Sequence, residues 1–380
     1  MKKLHYRIYG DNIIECIRII KMIKNNSFEN FQEGISCINQ MSSIITLVND
    51  NYELSFELVP GFEKSNKKRW KDNILINYKN IGSFLDETAD AFITKIDNDI
   101  ETILCVIEFC SALQAGNQAW QRSGRAYSCA WTKIPYFYII DLPKYELNPT
   151  TRERLALRFP NCIVPYSYIT YSEIHDTTAY VLINKSQEYI ETDPAFNGYD
   201  MSTIFNDKEF GNYLLYLILG ENTENFIESL KIKNRNFVKF LAPPEDEQSY
   251  TGDEIDELNP ENLAYSIITN NKKFSFKKKI AKKSISGKLN DLHSIVQKYS
   301  LGIFSSDLPF GIIEKSKIKH FVEDCSQLYP LGKNVKKELL RKKYLIVTMI
   351  KGSFIDKVKR SFQINTLACK RKNTLFQIKY

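Results

Sequence analysis

The sequence predicts an α/β fold, a mixed central sheet flanked by helices, followed by a basic C-terminal α+β region. Three observations predict it. Runs of strand length and of helical periodicity alternate through the first 200 residues. Charge is divided very unevenly between the two ends of the chain. An acidic, proline-bearing stretch separates those ends. At 380 residues the chain has room for one large domain or two ordinary ones, and 43% hydrophobic with 26% charged residues is a globular composition.

The elements follow in order. Residues 13–23 (IIECIRIIKMI) are apolar on most faces and predict a mostly buried helix, with Asp11 or Asn12 as N-cap and one carboxylate, Glu15, among the isoleucines. Residues 44–48 and the alternating 52–59 (YELSFELV) read as strands. Residues 90–96 (DAFITKI) and 102–109 (TILCVIEF) read as two more, joined by a turn at Asp97-Asn98-Asp99. After Gly116 the period becomes helical through Ala130, and 134–142 (IPYFYIIDL) is continuous enough for a central strand.

The N-terminus lacks the apolar core of a secretory signal, and no apolar run reaches 18 residues, so neither export nor a membrane span is expected and the reading is a cytoplasmic protein. The eight cysteines are scattered without a CxxC and read as reduced core thiols. Zinc is therefore not expected, and any metal would be held by carboxylates.

Residues 261–380 carry 26 Lys+Arg and 8 Asp+Glu, a net of +18, which leaves −11 for the rest. A basic third joined to an acidic remainder suits a phosphate-backbone binder attached to a metal-dependent part, although lysine is common throughout this chain. Pro243, Pro244, Gly252, Pro260 and eight acidic residues mark 241–262 as a linker or exposed loop. Three regions result: 1–240, catalytic; 241–262, acidic linker; and 263–380, basic and DNA-binding through Lys272, Lys273, Lys277, Lys278, Lys279, Lys282 and Lys283.

The chemistry concentrates in two acids. Asp90 opens one strand and Glu108 nearly closes the next. A carboxylate at the end of an apolar strand is costly to bury unless it ligates something or reaches solvent. Two on neighbouring strands suit Mg²⁺, which takes oxygen ligands and keeps waters for a substrate phosphate.

This arrangement resembles the PD-(D/E)XK nuclease superfamily, which includes many type II restriction endonucleases. Its pattern is a helix with a Glu, a strand starting with Asp, a strand ending Glu-x-Lys, then a helix and a further strand. Glu15 matches the helix acid, Ala89-Asp90 the PD element, and Glu108-Phe109-Cys110 the E-x-K element, so the resemblance covers about residues 10–145. It implies a restriction-endonuclease-like core, with Asp90 and Glu108 ligating Mg²⁺ and Glu15 assisting through a water.

Cys110 stands where the family has its lysine. Gln114, Gln118, Arg122 and Arg125 follow at steps of four, four and three, a polar stripe along one helix face. That stripe is either an exposed surface or a site face. In the second reading Gln118 and Arg122 are catalytic, Arg125 touches DNA, and Arg122, Arg125 or Lys95 replaces the lysine. The segment 127–131 (YSCAW) is similar to a cysteine-protease signature, with His175 as base, but its Gly-Ser-Cys context is missing. There is no Walker A motif and no GxGxxG.

The expectation is a Mg²⁺-dependent endonuclease of double-stranded DNA, a type II restriction enzyme. It would work as a homodimer, since cutting two strands calls for two sites, and alongside a cognate methyltransferase. The alternatives are a DNA-binding protein with an inactive nuclease fold, favoured by Cys110, and a non-specific defence nuclease.

Overall fold

The structure is a computed structural model describing residues 1–37, 43–61, 74–81, 89–110, 116–141, 146–147, 150–155, 159, 163–241, 276–277, 294–295, 298–300, 303–304, 310–328, 333–341, 344–351 and 362–367. The chain divides into two compact units. The first comprises Met1–Ala112, Arg125–Leu157 and His175–Asn234, and the second Leu113–Gly124, Arg158–Ile174 and Arg235–Tyr380.

The first unit begins with β1 (Lys2–Gly10) and α1 (Ile13–Lys24), then β2 (Gln32–Cys37), β3 (Ser43–Val48), β4 (Tyr52–Pro60) and α2 (Ile74–Asn80). The hairpin β5 (Ala91–Asp97) and β6 (Ile100–Cys110) precedes α3 (Gly116–Trp131), β7 (Tyr136–Asp141) and the short pair β8 (Glu146–Leu147) and β9 (Arg154–Leu155). There follow α4 (Ile163–His175), β10 (Ala179–Asn184), α5 (Gln187–Thr192), α6 (Asp207–Leu219) and α7 (Glu224–Leu241). Helices α3, α4 and α7 each pass from one unit into the other.

Eight strands form one mixed sheet in the order β10-β7-β6-β5-β1-β4-β3-β2. The pairs β10–β7, β7–β6 and β1–β4 are parallel, whereas β5 runs antiparallel to both β6 and β1. Parallel neighbours need a crossover, which α3 supplies between β6 and β7 and α4 between β7 and β10. The α/β class with a mixed, helix-flanked sheet is therefore as read from the sequence. The N-terminal strand β1, which that reading passed over, lies in the middle of the sheet.

Local chemistry explains the elements around the site. Asn98 and Asp99 both take positive φ (48° and 65°), the left-handed pair that a two-residue hairpin turn requires. Asn12, not Asp11, caps α1, its Oδ1 accepting from the Glu15 amide at 3.1 Å. Gly10 makes the sharp entry into α1 possible, because a Cβ there would lie 2.5 Å from Cys16 Sγ. Helix α1 buries Cys16, Ile19, Ile20, Met22 and Ile23, and the isoleucines and methionine are each worth roughly 1.5–3 kcal/mol of transfer free energy. Of its other three isoleucines, Ile17 is half-buried against the core and Ile13 and Ile14 are exposed.

Helices α1 and α6 cover one face of the sheet over Tyr6, Ile8, Ile93, Ile107, Phe137 and Ile139. Gly211 of α6 meets the α1 backbone so closely that a Cβ would sit 1.9 Å from the Met22 carbonyl oxygen. The alternate residues Phe92, Val106, Glu108, Cys110 and Tyr136 point to the other face. There Tyr78 of α2 packs edge-on against Phe92 and donates to Cys129 Sγ of α3.

In the second unit β11 (Phe276–Lys277), β12 (Ile303–Phe304), β13 (Phe310–Glu314), β14 (Tyr344–Lys351) and β15 (Phe362–Leu367) form an antiparallel five-stranded sheet, with α8 (Lys315–Leu328) and α9 (Lys333–Arg341). Among the described residues no helix is long and apolar enough to cross a membrane. Residues 242–262 lie outside the described residues, as do Lys272, Lys273, Lys278, Lys279, Lys282 and Lys283; Lys277 is in β11.

Candidate active site

The parallel strands β1, β6, β7 and β10 all end at the same edge of the sheet, where β5 begins and α1 takes off. Open α/β sheets form sites at this edge, because the strand ends hold side chains rigidly while the loops leave room above them. Asp90 immediately precedes Ala91, whose partner is Ile107, so the next step along the antiparallel register sets Asp90 beside Glu108. Two hydrogen bonds hold Asp90 there. The Phe109 amide donates to its Oδ2 at 3.0 Å, and the Asp11 amide donates to its carbonyl at 2.8 Å.

Glu108 is fully buried, and Arg125 of α3 donates to its Oε1 through Nη1. Arg125 is itself only 14% exposed, so the pair is almost withdrawn from water. Such a pair compensates two desolvation penalties rather than adding much stability, but neither member can be removed cheaply. Glu15 approaches from α1. Burial is the largest cause of its raised pKa; bonding to Asn12 lowers it, and the Glu108 charge raises it again. Oε2 of Glu15 is buried with no hydrogen-bond partner.

The structure thus brings together Asp90, Glu108, Glu15 and Arg125. Gln118 and Arg122 belong to the stretch of α3 that groups with the second unit, and the side chain of Gln118, like all of Gln114, lies outside the described residues. Lys95 is excluded as the replacement cation. It stands five residues along β5 from Asp90, roughly 16 Å at strand rise, and its ammonium lies near Asp97. Cys110 points to the same face as Glu108 and is 6% exposed, so no cation stands at the strand position where the family carries one. The guanidinium on Glu108 comes instead from the helix.

Two further residues of this edge escaped the sequence reading. Asp11 is next to Asp90 by register, since Gly10 pairs with Ala91 and the Asp11 amide bonds Asp90. It was masked by its plausibility as a helix cap. Asp141 ends β7 and receives Nη1 and Nη2 of Arg18 at 2.5 and 2.8 Å and the Asn184 amide at 2.7 Å. The Arg18 guanidinium also lies 4.3 Å above the Phe109 ring. The rule that singled out Glu108, a carboxylate closing an apolar strand, applies equally to Asp141 after 134–140.

Among the described residues no group of three or more His, Cys, Asp or Glu side chains forms a ready metal cage. The carboxylate oxygens of Asp90 and Glu108, with the orphaned buried oxygen of Glu15 nearby, are hard donors. They fit a divalent cation such as Mg²⁺ that takes one or two carboxylates and otherwise keeps water and substrate oxygens. They do not fit zinc, which prefers His and Cys.

The protease-like segment has the wrong environment. Cys129 is buried, with its thiol pKa pushed far up by desolvation, and its partner is Tyr78. His175 instead packs edge-on to Tyr127 and Trp131. A thiol that resists ionisation is no nucleophile. Cys16, Cys105, Cys110 and Cys325 are likewise buried. No protein-family model, curated protein or solved structure matches the chain.

Proposed function

We propose that the chain is a Mg²⁺-dependent endonuclease acting on double-stranded DNA, of the type II restriction kind, with a restriction-endonuclease-like core. The observation that carries the reading is Asp90 beside Glu108 at the ends of adjacent strands, with the Arg125 guanidinium on Glu108. Asp90 and Glu108 would hold the metal, and Glu15 would orient one of its waters. Bound there, the cation supplies a water of lowered pKa and offsets charge on the phosphate. The Asp11 and Phe109 amides hold the Asp90 carbonyl and its Oδ2 in place. Arg125 holds the Glu108 carboxylate and carries the positive charge that Cys110 cannot. The basic C-terminal region would grip the backbone, and two copies would cut the two strands.

Incubating the full chain with supercoiled plasmid and Mg²⁺ tests the reading. Discrete fragments are expected from the wild type and none from Asp90→Ala or Glu108→Gln. A smear would point to a non-specific defence nuclease. Wild-type turnover by either variant would remove these acids from the site. The second reading, a DNA-binding protein with an inactive nuclease fold, is favoured by Cys110 alone, and it predicts intact plasmid with a gel shift.

A further inference from the structure

Lys185 follows β10, two strands from β6 along the same sheet edge. With Asp141, Asn184, Ser186, Glu188, Tyr189 and Thr192 it lines a cleft of about 590 Å³. Its ammonium lies 4.9 Å from the centre of the Tyr189 ring, which fixes the stem. Among the described residues no carboxylate makes an ion pair with it. Of the two acids in the cleft, Asp141 is already engaged by Arg18 on both oxygens and by Asn184, and Glu188 is exposed. Burial lowers the pKa of Lys185, and the Asp141 charge only partly opposes this. A cation half withdrawn from water without a counter-ion is poised for an anion, whose arrival repays the desolvation. Ser186 adds a hydroxyl whose oxygen accepts from the Tyr189 amide, leaving its proton to donate.

We propose that this cleft binds a phosphoryl group on Lys185, and, resting on the nuclease reading, that the group is a backbone phosphate of the duplex being cut. Strands lie about 4.8 Å apart, so β10 ends roughly 10 Å to the side of β6. Lysine suits this role as a point charge on a flexible stem that contacts any sequence alike.

The test uses the full chain and Lys185→Gln, which keeps most of the stem over Tyr189. Thermal unfolding is measured in inorganic phosphate against chloride at equal ionic strength, and affinity for a labelled duplex is measured between 50 and 200 mM salt with Ca²⁺ in place of Mg²⁺. Phosphate should raise the melting temperature of the wild type and not of the variant. The slope of log K against log salt should become shallower by about 0.9 in the variant for every duplex sequence. Equal protection of both proteins by phosphate, or protection of neither, overturns the site. Selective protection with an unchanged slope keeps the phosphoryl site and overturns its assignment to the DNA backbone. Absence of Mg²⁺-dependent cleavage by the wild type counts against the nuclease reading and leaves the phosphate result standing.

Discussion

Replacing Arg125 by methionine removes the counter-charge of a fully buried carboxylate while preserving most of the side-chain volume. Breaking a buried pair from one side costs about 3–5 kcal/mol. The 14% exposure of Arg125 lets water reach the freed Glu108 from one side, and Glu15 already repels it, so about 3 kcal/mol is expected. That is roughly a 150-fold loss in the folding equilibrium. Glu108→Gln in the same chain removes the stranded charge, so the double variant should recover about 2 kcal/mol or more of the loss. The converse holds for Glu108 alone. Relief of desolvation by itself would make its removal neutral or slightly stabilising, but with Arg125 in place the change strands a guanidinium and should destabilise. Urea unfolding of the four proteins of the cycle at pH 7.5 measures the coupling directly. Additive effects, with a coupling below about 0.5 kcal/mol, would mean that the pair does not exist in solution.

Three further outcomes follow from the same geometry. If Arg125 has taken over from the family lysine, Arg125→Met should lose Mg²⁺-dependent cleavage by at least about 100-fold, on the order of one lost electrostatic contact, and adding Cys110→Lys should restore part of it; a double variant no better than the single one refutes the substitution. Glu15→Gln removes an acid whose folded pKa lies above its unfolded value. Such a group favours the fold only below the unfolded pKa and disfavours it as pH rises through the folded one, so the variant should melt higher than wild type at pH 7.5 and equally at pH 4, and an equal shift at both would exclude titration as the cause. Gly211→Ala should cost about 3 kcal/mol in urea unfolding, because its Cβ meets the Met22 backbone and two helices must separate; a near-neutral variant would place α6 further from α1.

The sequence by itself determined the sheet's class and the hairpin that carries the acids. Periodicity is a local signal, and strands β3 to β7 are long, apolar and punctuated by turn residues such as Asn98 and Asp99. It could also name Asp90 and Glu108, because an acid at the end of an apolar strand is anomalous whatever lies around it. Strand order is not local. Only the tertiary structure put β1 between β5 and β4, set Asp11 beside Asp90, and carried Asp141, Asn184 and Lys185 to the edge where Glu108 ends. The choice of cation was beyond the sequence for the same reason. Arg122, Arg125 and Lys95 were equivalent as charges in a string, and what separates them is the direction of a strand and the pitch of a helix. Those place Lys95 near Asp97 and bring Arg125 down onto a carboxylate that no water reaches.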